Sequence, residues 1–329
     1  MKKPEELFRI IESYKMAELI AVSVKSDIFR FISLPKSEAE IATAIGVTPE
    51  KTGILLDGLV AISLINKKKG RFFNTTFTNV YLNSASKEYI GDYYLLWMNK
   101  DDFQNLNDLL KNDVKEVMNS SDRSEEFKRL AYVASKEIHL KRSIYLKEAI
   151  KVMNFGKKQF SILDLGGGSG MLSIDVLNSY PNAVATVFDQ ESVLQIPLEI
   201  AGRNHLENRL QIRAGDFLQD NIGQGYDLII ASGIMDFAVE ILPEFIEKLC
   251  RALIEGGYLY LVTCGFNRTL TSPRQAVLNW LPRRLKGINQ VVAQAQIEKE
   301  LKLQNLKKIS SRTIVSISQK FLEQIYKKI

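Results

Sequence analysis

Residues Ser161 to Gly170 read Ser-Ile-Leu-Asp-Leu-Gly-Gly-Gly-Ser-Gly. A short apolar run that ends in an acid and then meets four glycines in five residues is the pattern of a buried strand turning sharply into a helix. The spacing predicts that helix over Met171 to Tyr180. Glycine at such a junction allows positive φ and lets a ligand lie against bare main chain, with the first helical N–H groups facing outward as donors. The stretch therefore reads as a binding loop. A dinucleotide fingerprint would need G-x-G-x-x-G, but from Gly166 and Gly168 the third glycine falls on Met171; a P-loop would end in Gly-Lys-Ser/Thr, where the chain has Ser169-Gly170-Met171.

Working outward, Ala183 to Phe188 is a second strand, and it ends at Asp189. A carboxylate at that strand tip can accept both hydroxyls of a ribose; it can equally cap the segment from Glu191. Leu210 to Arg213 is a third strand, followed by Gly215-Asp216-Phe217, and His205 on the turn before it reads as structural. Tyr226 to Ala231 is a fourth strand followed by Ser232-Gly233-Ile234-Met235-Asp236-Phe237. Glu240 to Leu253 is helical, Glu255-Gly256-Gly257 turns, and Tyr258 to Thr263 is a fifth strand. Strands alternating with helices imply a doubly wound, largely parallel α/β sheet with its ligand at the strand C-termini. Leu306 to Ile309 and Ile314 to Ile317 suit an antiparallel pair that closes the sheet.

The front half has a different pattern. Glu5 to Phe31 carries apolar residues at helical spacing, as one long helix or two abutting ones. Ser37-x-x-Glu40 is a capping box opening a short helix that stops at Gly46, and Thr48-Pro49 opens the next. Leu64-Ile65, a basic turn through Lys67, Lys68 and Lys69, and Arg71 to Asn74 form a hairpin. Helix, helix, hairpin is a winged helix. Read as a DNA binder, its helix from Pro49 would enter the major groove, but Pro49 to Leu64 offers Lys51 and no Arg, Asn or Gln for base edges. Ser84 to Glu126 is an aromatic-rich connector containing Tyr93, Tyr94 and Trp97, and Glu125 to Met153 is a helix that feeds the glycine-rich strand. His139 lies on that helix; a lone helical His is more often a surface or packing residue than a base.

The chain has 329 residues, 46% of them hydrophobic, enough for two domains. No apolar run reaches the length of a membrane span and no secretory signal follows Met1, which reads as a cytoplasmic protein. Cys250 and Cys264 lack Cys-x-x-Cys spacing, which argues against a disulfide or a metal site. The net charge of +6 is uneven: from Arg268 to Ile329 there are 13 Lys and Arg against Glu298, Glu300 and Glu323. Such a region can attract an anionic substrate or nucleic acid, and a solvated face is the commoner reason for one.

Asp164 before Gly166, Gly168 and Gly170 resembles motif I of class I S-adenosylmethionine-dependent methyltransferases. With Asp189, Gly215-Asp216-Phe217, the Gly256-Gly257 turn and the winged-helix front half, nearly the whole chain resembles the dimeric plant-type and hydroxyindole-type O-methyltransferases. The resemblance implies a Rossmann-like catalytic domain over 156–329, a winged-helix dimerisation domain over 1–84, and a helical connector lining the substrate pocket over 85–155. It implies S-adenosyl-L-methionine as cofactor, with Asp164, Gly166, Gly168, Asp189, Asp216, Phe217 and Ser232 binding it. Trp97, Met235 and Asp236 would line the site of a small-molecule substrate, in a homodimer. The family usually has Leu-His-Asp-Trp after its fourth strand, the His acting as general base. Here Ile234-Met235-Asp236-Phe237 stands in its place, and Met cannot take a proton. Acidic residues expected after the fifth strand are missing too, as the chain reads Thr263-Cys264-Gly265-Phe266. Three explanations stay open: an acceptor that is anionic or readily deprotonated, so that placement suffices; a base supplied by His139; or a changed reaction. The first is favoured, with Arg274, Arg283, Arg284 and Lys286 forming a basic amphipathic stretch at the lid position. A DNA-binding regulator and a cofactor-binding partner without catalysis are the alternatives.

Overall fold

A computed structural model describes residues 3–98, 103, 106–111, 120–155 and 158–329, without side chains for 120–123. Parts of the expected connector, residues 99–102, 104–105 and 112–119, lie outside the described residues. The chain divides into two compact units, 1–100 and 101–329.

The first unit is mostly helical. Helix α1 (Glu5–Lys25) ends where Asp27 takes a left-handed φ of 52°, so the apolar stretch to Phe31 becomes two helices, with α2 at Ile28–Phe31. Strand β1 (Lys36–Ser37) leads into α3 (Glu38–Ile45), which opens on the expected capping box: Ser37 Oγ accepts from the Glu40 amide, and the Glu40 carboxylate accepts from the Ser37 amide at 2.8 Å. Those bonds hold the Glu40 carboxyl down to about 2. Helix α4 (Pro49–Ala61), capped by Thr48, is followed by the hairpin of β2 (Ile65–Lys68) and β3 (Arg71–Asn74), which β1 extends in the order β1-β3-β2. Two short helices complete the unit, α5 (Thr76–Tyr81) and α6 (Gly91–Met98). Ile28, Phe29, Ile41, Leu56, Leu59 and Phe72 form its core.

The second unit begins with α7 (Leu106–Lys111) and α8 (Ser120–Glu137). A single π-helical turn, Ile138–Arg142, joins α8 to α9 (Ser143–Met153). The expected 125–153 helix is thus continuous but changes its winding in the middle. Then come β4 (Phe160–Leu165), α10 (Met171–Ser179), β5 (Ala183–Asp189), α11 (Gln195–Arg203), β6 (Leu210–Ala214) and β7 (Tyr226–Ser232). After a 3₁₀ segment, Met235–Ile241, follow α12 (Leu242–Ala252), β8 (Leu253–Thr263), α13 (Arg274–Leu285), α14 (Gln294–Leu303), β9 (Leu306–Val315) and β10 (Lys320–Lys328). The seven-stranded sheet has the order β6-β5-β4-β7-β8-β10-β9; the first five strands run parallel, and β10 and β9 are antiparallel to their neighbours. Strand β4 sits at the centre with all but one of its residues buried, the near-continuous burial that parallel strands covered on both faces require.

Two details differ from the sequence reading. Residues 306–309 and 314–317 are not partners of each other: 306–309 and 314–315 both lie along β9, whose partner is β10, and the expected second strand runs on into the turn at 316–319, where the Ser316 amide bonds to the Gln319 carbonyl at 2.9 Å. Polar residues at 310–313 look like a turn because β9 is an edge strand and mostly faces water. The turn expected at Glu255 to Gly257 is an irregularity inside β8, with Gly256 at φ 76°.

Asn74 ties the first unit together, its buried amide nitrogen donating to the Phe29 carbonyl at 2.6 Å and to Asn79 at 2.7 Å. Asn74→Ala orphans that carbonyl and should lower stability by about 1–3 kcal/mol; equilibrium urea unfolding measures it, and an unchanged midpoint would refute the assignment.

Candidate active site

The glycine loop has no room for a side chain at Gly166 or Gly170. Gly166, Gly168 and Gly170 have φ of 61°, 57° and 65°. A Cβ on Gly166 would lie 2.6 Å from Ile234 Cγ2, and one on Gly170 would lie 2.8 Å from Pro197 Cβ. Below the loop, Asp164 is buried and its Oδ2 accepts from the Ser173 hydroxyl on α10 at 2.8 Å. Burial pushes its carboxyl up to about 6, against the pull of the Ser173 bond.

Three loops at the strand C-termini are joined through Asp189. Its Oδ2 accepts from the Gly168 amide at 2.8 Å, its Oδ1 from the Gln190 amide at 2.7 Å, and its carbonyl from the Gly215 amide at 3.0 Å. Burial raises its carboxyl and the two amide bonds oppose the rise. Asp216 is exposed, with Oδ1 accepting from the Leu218 amide at 2.9 Å. Beside it, Phe217 packs against Phe237 and Phe245 and edges toward Gly166.

Ser232 ends β7 one residue beyond Ala231, which pairs with Leu165; it therefore stands beside Gly166. Its hydroxyl accepts from Arg142 Nη1 at 3.3 Å. Asp236, on the 3₁₀ segment, is buried with Oδ1 accepting from the Val292 amide at 3.3 Å, and burial pushes its carboxyl up to about 6. Nearby, burial and then the charge of Asp236 push the Cys264 thiol up to about 12, which leaves it inert as a nucleophile.

Helix α8 runs over the loop. A Cβ at Gly168 would meet Ala131 Cβ at 3.5 Å, and Phe127 packs edge-on against Phe237. An ion pair of 2.6 Å between Glu126 and Arg283 ties α13 to α8.

The structure thus brings together Asp164, Gly166, Gly168, Asp189, Asp216, Phe217, Ser232 and Asp236. Met235 is instead 2% exposed within the core cluster beneath β7 and α12, so it packs rather than presents a surface. Trp97 lies on α6 in the first unit, edge-on to Tyr93. His139 sits on the flank of α10: its Nδ1 is 2.9 Å from both oxygens of Asp175, and its side chain is 55% exposed. Asp175 lies more than a turn along α10 from the loop.

Two residues escaped the sequence reading. Lys248 Nζ donates to the carbonyls of Phe217, Leu218 and Asp220 at 3.1, 2.8 and 3.0 Å, holding the Asp216–Phe217 turn. Arg142 reaches Ser232, and its charge acts on Asp164. Neither carries a local motif, and the acid that partners Arg142, Glu137, is five residues away, outside the i, i+4 spacing that a helix reading looks for. Part of the basic tail is paired: Lys308 with Glu298, Arg312 with Glu323 and Glu148, and Lys328 with Glu255. In the hairpin Lys67 pairs with Asp57 and Arg71 with Glu40. Among the described residues no group of three His, Cys, Asp or Glu could hold a metal ion, and no helix is long and apolar enough to cross a membrane.

A family model for the O-methyltransferase domain matches residues 113–284. An uncharacterized protein of Methanocaldococcus jannaschii is 28% identical over 274 residues, 78% of this chain and 70% of its own length. The acetylserotonin O-methyltransferase of Gallus gallus is 25% identical over 78% of this chain and 76% of its own. An O-methyltransferase family protein from Burkholderia thailandensis has the same fold, with a TM-score of 0.80 at 19% identity over 100% of this chain and 98% of that one.

Asp164 gives the site a signature in stability. In the unfolded chain it ionises near about pH 4, in the fold only at about 6. The folded state holds the extra proton between those values, so this group's contribution is fully present below about pH 4 and is lost as pH rises past about 6. Asp164→Asn, which keeps an acceptor for Ser173, should flatten the fall in stability over that window; urea titrations at several pH values that show the wild-type slope would contradict it.

Proposed function

The chain belongs to the O-methyltransferase-domain family, whose members are S-adenosylmethionine-dependent methyltransferases, and from that premise we propose how this one binds its cofactor and what acceptor it takes. The observation that carries the reading is the joining of three loops through the Asp189 carboxylate and carbonyl. The residues fit the cofactor: the loop leaves no room for side chains at Gly166 and Gly170, and the buried Ser169 hydroxyl has no partner among the described residues. Bound S-adenosylmethionine supplies a methyl group on a positively charged sulfur. Gly166 and Gly168 lie against its methionine part, the Asp189 carboxylate takes the ribose hydroxyls, and Asp216 takes the adenine amine, with Phe217 on the ring. Arg142 and Ser232, beside Gly166, take the amino acid carboxylate. Asp164 stays below the loop as its support.

The acceptor is a small molecule with a hydroxyl or similarly acidic group that loses its proton readily. Met235 replaces the usual His, and His139 is engaged by Asp175 on the flank of α10, which supports transfer by placement and orientation rather than by a His base. The residue of the catalytic unit that lines the acceptor is Asp236, on the 3₁₀ segment. The tail cations that pair with acids are spoken for, so the acceptor's acidity matters more than a fixed charge.

The first unit is the dimerising half, in the winged-helix reading of its helices and hairpin. Its α1 exposes Leu7, Phe8, Ile10, Ile11 and Tyr14, with Phe8 70% exposed, a row of apolar side chains that a second copy would cover. The neutralised hairpin cations speak against nucleic acid as the partner.

Calorimetry should show S-adenosylhomocysteine binding that Asp189→Ala largely removes; normal binding by that variant would sink the cofactor placement. Labelled S-adenosylmethionine with host extract should yield a labelled small molecule, whereas tight cofactor binding with no labelled product would favour the non-catalytic partner. Light scattering should give twice the chain mass, and Phe8→Glu should halve it.

A further inference from the structure

The π-helical turn between α8 and α9 sets up a contact that a regular helix would forbid. In an α-helix, residues five apart stand about 140° from each other around the axis. A π turn bonds i to i+5, so residues at that spacing share a face. Here Glu137, just before the Ile138–Arg142 turn, and Arg142, its last residue, are five apart, and the Glu137 Oε2 accepts from Arg142 Nε at 3.0 Å.

Glu137 is buried, its side chain 1% exposed, and its other oxygen accepts from the Ser316 hydroxyl at the end of β9. The guanidinium is held between this carboxylate, the Ser232 hydroxyl and the ring of Phe321, 5.7 Å away. Of the five N–H donors of Arg142, Nε and one on Nη1 are used, and Nη2 has no partner among the described residues. Through Nη1 the guanidinium reaches the strand ends, where Ser232 stands beside Gly166.

We propose that Glu137, placed by the π turn and by Ser316, is a positioning residue that aims the Arg142 fork at the amino acid carboxylate of the cofactor. This rests on the cofactor placement proposed above. The energetic logic is that of a clamp assembled in advance. A free arginine must give up rotamer freedom to bind an anion, and one fixed through its Nε presents its outer donors without that cost. Glu137 neutralises part of the cation through Nε, whereas Ser232 is met by Nη1.

The test separates carboxylate recognition from general damage by using two ligands. S-adenosylhomocysteine carries the amino acid part, and 5′-methylthioadenosine is the nucleoside without it. By calorimetry, Arg142→Met should weaken S-adenosylhomocysteine by roughly ten- to a hundredfold, the span of a lost charged hydrogen bond. The near-isosteric Glu137→Gln should weaken it by about tenfold, and Ser316→Ala by a smaller factor. All three should leave 5′-methylthioadenosine affinity within about twofold of wild type. Equal losses for both ligands, or wild-type binding of S-adenosylhomocysteine by Glu137→Gln and Ser316→Ala, would overturn the positioning role. Failure of the wild-type chain to bind S-adenosylhomocysteine would instead overturn the cofactor placement on which it rests.

Discussion

The 2.8 Å hydrogen bond from the Gly168 amide to the Asp189 carboxylate joins the central strand of the sheet to its neighbour at the end where ligands bind. A loop with three left-handed glycines has little conformational preference of its own. It acquires one shape because its amide is taken by a half-buried acid on β5, while Ile234 and Pro197 close in on Gly166 and Gly170 from outside. The same Asp189 accepts through its carbonyl from Gly215, so the position of the Asp216–Phe217 turn follows from it. Lys248 then holds that turn from behind with three carbonyl contacts.

Helices α8 and α9 form a second frame, laid across the loop and the closing strands. At one end Ala131 and Phe127 cover the glycine loop and Phe237; in the middle, the π turn brings Glu137 and Arg142 onto one face; at the other, α9 packs beside α10 and delivers the chain to β4. The π winding matters here because a helix cannot otherwise present an acid and a base five residues apart to the same pocket. Ser316 and Phe321, from the hairpin that closes the sheet, complete the enclosure of Arg142. Residues nearly 180 positions apart thus meet around one guanidinium.

Part of the tail's positive charge is matched within the fold. Lys308, Arg312 and Lys328 pair with acids on neighbouring elements, two of which, Glu148 and Glu255, lie before residue 268 in the chain. Exposed pairs of this kind add little stability, and the two acids that come from outside the tail lower its positive balance only in part. Where acids are buried with few donors, as at Asp164 and Asp236, the protein raises their carboxyls to about 6 instead.

The amino-acid sequence alone was enough for the strand-to-helix loop, the acids at the tips of β5 and β6, the capping box at Ser37 and the alternation that makes a parallel sheet. Each of these is local: a glycine run, a period, or a cap acts on residues a few positions away. The division of β9 and β10 was misread because an edge strand lacks the alternation that marks a half-buried one. His139 and Met235 carried family expectations that only packing could place, one paired with Asp175 on a helix flank and the other inside the core. Arg142, Glu137 and Lys248 left no local trace, since their partners are set by tertiary neighbours and, for the first two, by a π turn that apolar periodicity does not reveal. The sequence by itself determined where the glycine loop lies, because left-handed backbone at these positions calls for glycine. Only the tertiary structure decided which charges face that loop, because charged side chains are aimed by contacts between elements far apart in the chain.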